Sequence, residues 1–191
     1  MKQIGLFFGS FNPIHIGHLA LANYMVEFEE LDEIWFVVSP QNPFKKSIDL
    51  LDPSLRIKMV ELATAGQSNY RVEDIELSLP TPSYTIDSLK ALEEKYPNHQ
   101  FTIVMGADNI LRLHQWKAQD EIVQNYSILV YPRANSIIDR TILPKNCKVT
   151  EAPQIEIASS SIRQWIKSGK STPFLLPEAV FKFIKTQGLY Q

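Results

Sequence analysis

The chain has 191 residues, 45% hydrophobic and 21% charged, with 19 Lys and Arg against 21 Asp and Glu. A single domain of this length buries roughly 70% of its unfolded surface, and the near-neutral balance excludes the basic excess of a general nucleic-acid binder. The one cysteine, Cys147, excludes an internal disulfide and a cysteine-rich zinc site.

In chain order, Ile4 to Phe8 reads as a first buried strand. It ends in Gly9-Ser10-Phe11-Asn12-Pro13-Ile14-His15-Ile16-Gly17-His18, followed by an amphipathic helix pattern through Leu19, Leu21, Ala22, Met25 and Phe28. Glu33 to Val38 is a second buried strand, followed by a polar, proline-containing loop over 39–52. Asp52-Pro53 supplies a cap and a first-turn proline for a helix through Arg56, Met59, Val60 and Leu62. Tyr70 to Leu77 has strand alternation interrupted by acids. Ser83-Tyr84-Thr85 opens a helix from Ile86 to Lys95, stopped by Pro97. Phe101 to Met105 and Ser127 to Tyr131 are two further buried strands, and Val149 to Ile157 gives weaker strand signals around Pro153. Leu111, Leu113, Trp116 and Ile122 have ordinary core spacing. Ser159 or Ser160 caps a helix ending at Gly169, and Pro177-Glu178 starts the last helix, to Gln187-Gly188. Strands separated by helices predict a single α/β domain over residues 1–191. Its sheet is doubly wound and mainly parallel with helices on both faces, and its C-terminal portion is helical from about residue 159.

Ligands in such sheets bind at the carboxyl ends of the strands. Those ends carry His15 and His18, then Lys45 and Lys46, then Gly106-Ala107-Asp108, then Arg133. The helix starting near Ser159 adds Ser160, Ser161 and Arg163 in its first turn. Glycines at Gly9 and Gly17 let a ligand approach the backbone. Two helix starts with two His, two Lys and two Arg make a rim suited to a polyphosphate, and Asp108 suits a ribose hydroxyl or a metal-bound water. The Ser168-Gly169-Lys170-Ser171-Thr172 run mimics a P-loop tail. It lacks the upstream glycine and follows a helix rather than a strand.

His15-Ile16-Gly17-His18 resembles the HxGH signature of the nucleotidyltransferase superfamily, and Ala158 to Arg163 resembles its second signature. Within the superfamily the chain is similar to the bacterial nicotinate-nucleotide adenylyltransferases. The supporting segments are Pro40 to Lys46, Ser83 to Leu89, and Gly106-Ala107-Asp108 followed by Trp116. Asn12 stands where Asp is commoner, and Ser161 where the second signature has Thr. The resemblance implies a Rossmann-like nucleotidyltransferase fold and adenylyl transfer from ATP to nicotinate mononucleotide. It implies catalytic roles for His15, His18 and Arg163, and an ATP site of Gly9, Ser10, Phe11, His15, Gly17, His18, Gly106, Asp108, Ser159, Ser160 and Arg163. The mononucleotide site would comprise Asn12, Lys45, Lys46, Tyr84, Thr85, Trp116 and Arg133. Mg²⁺ would be carried on the ATP phosphates, with no dedicated protein metal site.

Other acceptors stay open, among them nicotinamide mononucleotide and phosphopantetheine, as does a non-catalytic nucleotide sensor. An aminoacyl-tRNA synthetase fragment shares the HIGH string but needs a tRNA-binding region that the charge balance does not offer. The stretch before Gly9 is too short for a signal peptide and no run approaches the ~20 apolar residues of a membrane span. A cytoplasmic protein with no nucleic-acid or membrane partner is expected, and a homodimer is compatible with the sequence.

Overall fold

The computed structural model describes residues 1–41, 50–134, 136, 138–139, 141 and 143–191. Six strands form one sheet: β1 (Lys2–Gly9), β2 (Glu33–Val38), β3 (Tyr70–Glu73), β4 (His99–Gly106), β5 (Ser127–Tyr131) and β6 (Cys147–Val149). Their order is β3-β2-β1-β4-β5-β6, and every neighbouring pair is parallel. The helices are α1 (Ile16–Phe28), α2 (Pro53–Thr64), α3 (Thr85–Lys95), α4 (Ala107–Ile110), α5 (Gln119–Asn125), α6 (Ser159–Lys167) and α7 (Glu178–Thr186).

Strand side chains alternate between two faces, and the sequence supplies apolar residues to both, which is why the strands read as continuous apolar runs. Phe7, Phe36, Val38 and Val104 pack with Leu21 and Met25 of α1, Met59 and Val60 of α2, Ile162 of α6 and Val180 of α7. Leu6, Trp35, Val37 and Ile103 pack on the other face with Ile86 and Leu89 of α3, Ile110 of α4 and Ile122 of α5. The doubly wound arrangement of the sequence reading is thus present. The strand order turns back at β1, whose neighbours are β2 and β4. Between the carboxyl ends of β1 and β4 lies the switch point where such sheets open a crevice.

Several boundaries differ from the sequence reading. The strand expected from Tyr70 to Leu77 stops at Glu73, and Ile75–Ser78 is a 3-10 turn. The acids at Glu73 and Glu76 are buried rather than solvent-facing, so the alternation there does not describe a half-exposed strand. β6 ends at Val149 instead of continuing to Ile157. Thr150 N–H still reaches the Val130 carbonyl at 2.9 Å, and Pro153 offers no donor to carry the ladder further. The short helices α4 and α5 between β4 and β5 were not read from the sequence, and Leu111 is 45% exposed rather than core. The residue before α6 is Ala158, with no side-chain cap, so neither serine caps the helix and Ser159 is its first residue.

Candidate active site

The loop after β1 folds back on itself. A Cβ added at Gly9 would lie 2.7 Å from the Phe11 ring, so glycine lets that ring tuck under the strand end. Phe11 has a φ of 45°, a left-handed conformation that costs a non-glycine residue about 1–2 kcal/mol and is offset by burial of its ring, 2% exposed. The ring meets His18 edge-on at a centroid distance of 5.2 Å. Arg56 Nη1, from α2, donates to the Ser10 carbonyl at 2.8 Å.

His15 precedes the first turn of α1, and its ring stacks on that of His18 at 3.7 Å. The backbone N–H of His15 donates to His18 Nδ1 at 3.2 Å. With Nδ1 an acceptor, the proton of a neutral His18 sits on Nε2, which is then a donor. Burial, together with the Arg133 guanidinium, pulls the His15 pKa down to about 4, so this ring is neutral at pH 7. Gly17 sits against it, 3.1 Å from a built Cβ to the His15 ring.

The start of α6 is fastened to the same loop from the far end of the chain. Ser159 Oγ donates to the Pro13 carbonyl at 2.8 Å and Arg163 Nη1 to the Asn12 carbonyl at 2.9 Å. The Asn12 side chain is buried, its Oδ1 accepting from the Tyr190 hydroxyl at 2.7 Å and more loosely from the Leu51 N–H at 3.4 Å. Opposite, Gly106 lets Asp108 fold close, since an added Cβ would fall 2.5 Å from Asp108 Oδ1. Arg133 Nε lies 3.7 Å from that oxygen.

Two compartments result. A cleft of about 620 Å³ is lined by Gly9, Ser10, Phe11, Asn12, His15, His18, Asp108, Arg133, Ser159, Ser160 and Arg163 among others. A smaller pocket of about 230 Å³ adjoins it, lined by Tyr84, Thr85 and Trp116, with Ser39, Glu76, Ser83, Arg112 and Lys117. Phe7, Phe8, Asp108, Asn109 and Tyr131 line both. The residues expected for ATP thus gather in the cleft, with Gly17 and Gly106 behind its wall. Three of those expected for the mononucleotide gather in the pocket. Asn12 and Arg133, read as mononucleotide contacts, line the phosphate-suited cleft instead, because β5 delivers Arg133 beside the histidines and Asn12 is committed to Tyr190. Lys45 and Lys46 lie outside the described residues. Sequence reasoning missed Arg56 and Glu76, buried charged residues that the sequence offers only as polar positions beside apolar ones.

The chemistry of the larger cleft is that of a polyanion site. Two guanidinium groups, an imidazole N–H and the starts of α1 and α6 open on it. Asp108 is the one acid among its described lining residues. Among the described residues no three His, Cys, Asp or Glu side chains cluster as a metal site. The smaller pocket offers an indole and a phenol, faces suited to a flat aromatic ring.

The chain is similar to known proteins over nearly its whole length. A family model described as "Cytidylyltransferase-like" matches residues 6–165. The chain is 47% identical over 191 residues to a "probable nicotinate-nucleotide adenylyltransferase" of Flavobacterium johnsoniae, with 99% of each chain covered. A Bacteroides fragilis protein of the same description is 48% identical over 185 residues, spanning 97% of this chain and 92% of that one. Among solved structures, the nicotinic acid mononucleotide adenylyltransferase of Plasmodium falciparum, complexed with NaAD, shares the fold. It superposes with a TM-score of 0.79 at 22% identity, over 100% of this chain and 98% of the other.

Proposed function

Because the chain belongs to the cytidylyltransferase-like family, and within it to the nicotinate-nucleotide adenylyltransferases, we propose that it joins ATP and nicotinate mononucleotide into nicotinate adenine dinucleotide and pyrophosphate. The observation that carries this reading is the pair of compartments sharing a wall at Asp108, one suited to a polyphosphate and one to a flat ring. Two nucleotides lying in them would meet at that wall.

The mononucleotide phosphate is already ionised and attacks the α-phosphorus of ATP directly. One P–O bond forms as the bond to the departing pyrophosphate breaks, with no covalent enzyme intermediate. Holding the reactants in line supplies about 7–11 kcal/mol, and donors on the developing charge add a few kcal/mol each. His18, through its Nε2–H, and His15 face the ATP phosphates, and Arg163 takes the departing pyrophosphate. Ser159 and Ser160 present the α6 N-terminus. Arg133 adds positive charge between the histidines and Asp108. Lys45 and Lys46 are assigned to the mononucleotide phosphate from the family resemblance.

The donor set fits a divalent ion that arrives on the nucleotide rather than one held by the chain, and Mg²⁺ prefers that role. Asp108 would hold its water shell, and the ion would neutralise charge on the phosphates. The residues named all come from one chain, so a homodimer is not needed for the chemistry. The substrates are small soluble nucleotides, which suits a cytoplasmic enzyme, and no described helix is long and apolar enough to cross a membrane.

The test is pyrophosphate release with ATP and Mg²⁺, offering nicotinate mononucleotide, nicotinamide mononucleotide or phosphopantetheine. Turnover is expected to be strongest with the first. Turnover with phosphopantetheine alone would overturn the acceptor assignment, and nucleotide binding without pyrophosphate release would favour a sensor. In the same assay Trp116→Ala is expected to raise KM for the mononucleotide about tenfold or more, as for loss of a stacked ring, with KM for ATP little changed. An equal rise in both would count against stacking.

A further inference from the structure

Helix α7 ends in a turn that sends the chain back toward the loop after β1. Gly188 takes a φ of 62°, and the N–H groups of Gly188 and Leu189 reach the Lys185 and Ile184 carbonyls at 3.3 and 3.0 Å. Such a closure ends the helix and redirects the residues that follow. Tyr190 comes next, with a φ of 65°. A non-glycine residue keeps that left-handed backbone only where its surroundings hold it there. Its half-buried ring packs against the apolar layer that α2, α6 and α7 share with the sheet. Its hydroxyl donates to Asn12 Oδ1 at 2.7 Å. Burial drives the phenol pKa up, opposed by the guanidiniums of Arg163 and Arg56, so the hydroxyl keeps the proton it donates.

Asn12 is where the supports of the larger cleft meet. Its carbonyl accepts from Arg163 Nη1 at 2.9 Å, and the next carbonyl, that of Pro13, accepts from Ser159 Oγ at 2.8 Å. On its other side, the Phe11 ring braces His18. The Asn12 side chain is 4% exposed. On its Oδ1 the bond from Tyr190 is short, whereas the Leu51 N–H approaches only to 3.4 Å.

We propose that Tyr190 is a positioning residue for adenylyl transfer: its hydroxyl fixes Asn12, and Asn12 in turn aims Arg163 at the pyrophosphate end of ATP. The proposal rests on the adenylyl-transfer reading, in which Arg163 takes the departing pyrophosphate. It adds a residue that is not among the described lining of the cleft. A guanidinium carries five N–H donors in one plane, so engaging one of them sets the direction of the rest. The Asn12 carbonyl thereby orients the donors that Arg163 turns to the cleft it lines. An acceptor orients a donor only if it is itself held. Asn12 lies in the loop between β1 and α1, outside any strand or helix, and the bond from Tyr190 anchors it. Removing the hydroxyl strips a short bond from a buried oxygen and loosens the residue, an effect on the scale of one hydrogen bond.

The experiment compares the whole protein with Y190F, which keeps the ring and loses the hydroxyl, and repeats the substitution in an R163M background. Inorganic pyrophosphate is the probe, its Kd measured by calorimetry. The kinetic constants for ATP and nicotinate mononucleotide are measured alongside. In Y190F the pyrophosphate Kd is expected to rise about fivefold and kcat/KM for ATP to fall by a similar factor. KM for the mononucleotide is expected to stay within about twofold, because its pocket lies across the Asp108 wall. In R163M the same substitution is expected to move the pyrophosphate Kd by less than about twofold, since residues acting through one contact are not additive. A tyrosine that only supports the fold would weaken both backgrounds equally and lower the urea midpoint together with the binding of both substrates. An unchanged pyrophosphate Kd in Y190F, an equal rise in both backgrounds, or a matching loss of mononucleotide binding would each overturn the proposal. Pyrophosphate binding needs no turnover. Coupling between Tyr190 and Arg163 in a protein that releases no pyrophosphate from ATP would therefore strike the transfer reading alone.

Discussion

Replacing His18 with alanine is expected to lower kcat by about 10²-fold or more, the scale of losing one donor placed on developing charge. The ring is held from two sides, by the His15 N–H on Nδ1 and by the Phe11 edge, so its Nε2 position is fixed before substrate arrives. His15 is stacked on it and kept neutral by burial and Arg133, so the pair does not place two positive rings side by side. A His18→Gln variant can offer an amide N–H from a similar position and should recover part of the loss. Pyrophosphate-release kinetics at saturating ATP check both. Turnover of His18→Ala within about threefold of wild type would remove this residue from the transition state.

Arg56→Met is expected to destabilise the fold by about 3 kcal/mol or more, read as a lower midpoint in urea unfolding with an unchanged slope. Arg56 has no exposed surface, and its guanidinium donates to four carbonyls: Leu51 at 2.9 Å, Ser10 at 2.8 Å, Ser39 at 2.7 Å and Pro40 at 3.1 Å. Each acceptor left buried without a donor costs about 1–3 kcal/mol, partly relieved by water entering at the loop. Methionine keeps the apolar stem and removes every donor. Arg56→Lys should fall between, because a single ammonium cannot span carbonyls fanned out by a planar fork. An Arg56→Met protein as stable as wild type would show that those carbonyls find other partners.

The parallel sheet was readable because its strands are buried on both faces, which leaves runs such as EIWFVV with no polar interruption. Asp52-Pro53 marked a helix start for a local reason, the Asp52 carboxylate accepting from the Ser54 N–H at 2.8 Å. Where the deciding interactions are distant, local pattern misled. Ser159 looks like a cap, but its hydroxyl is engaged by the carbonyl of Pro13. His15, His18 and Arg163 were legible as a set because one short string and one helix start carry them. Asn12 and Arg133 line the larger cleft and not the pocket with Trp116. A sequence tells which strand end a residue follows, not on which side of the Asp108 wall it will lie. Arg56 sits on the apolar stripe with Met59 and Val60, and nothing local distinguishes a buried guanidinium from one reaching solvent. Glu76 was lost for a similar reason, since an acid between Ile75 and Leu77 reads as an interruption of a strand.

The bonds from Ser159 to Pro13 and from Arg163 to Asn12 join parts of the chain 146 and 151 residues apart. Closing so long a loop is entropically expensive and belongs late in folding. Nucleotide capture is therefore a report on completion of the whole domain. If α6 carries the proposed anion site, a chain in which it has detached loses that site at the same moment, and ligand at 100 times its Kd would hold the helix down with about 2.7 kcal/mol. Proteolytic resistance of this helix should track nucleotide concentration, making the supply of substrate a determinant of how long each molecule survives.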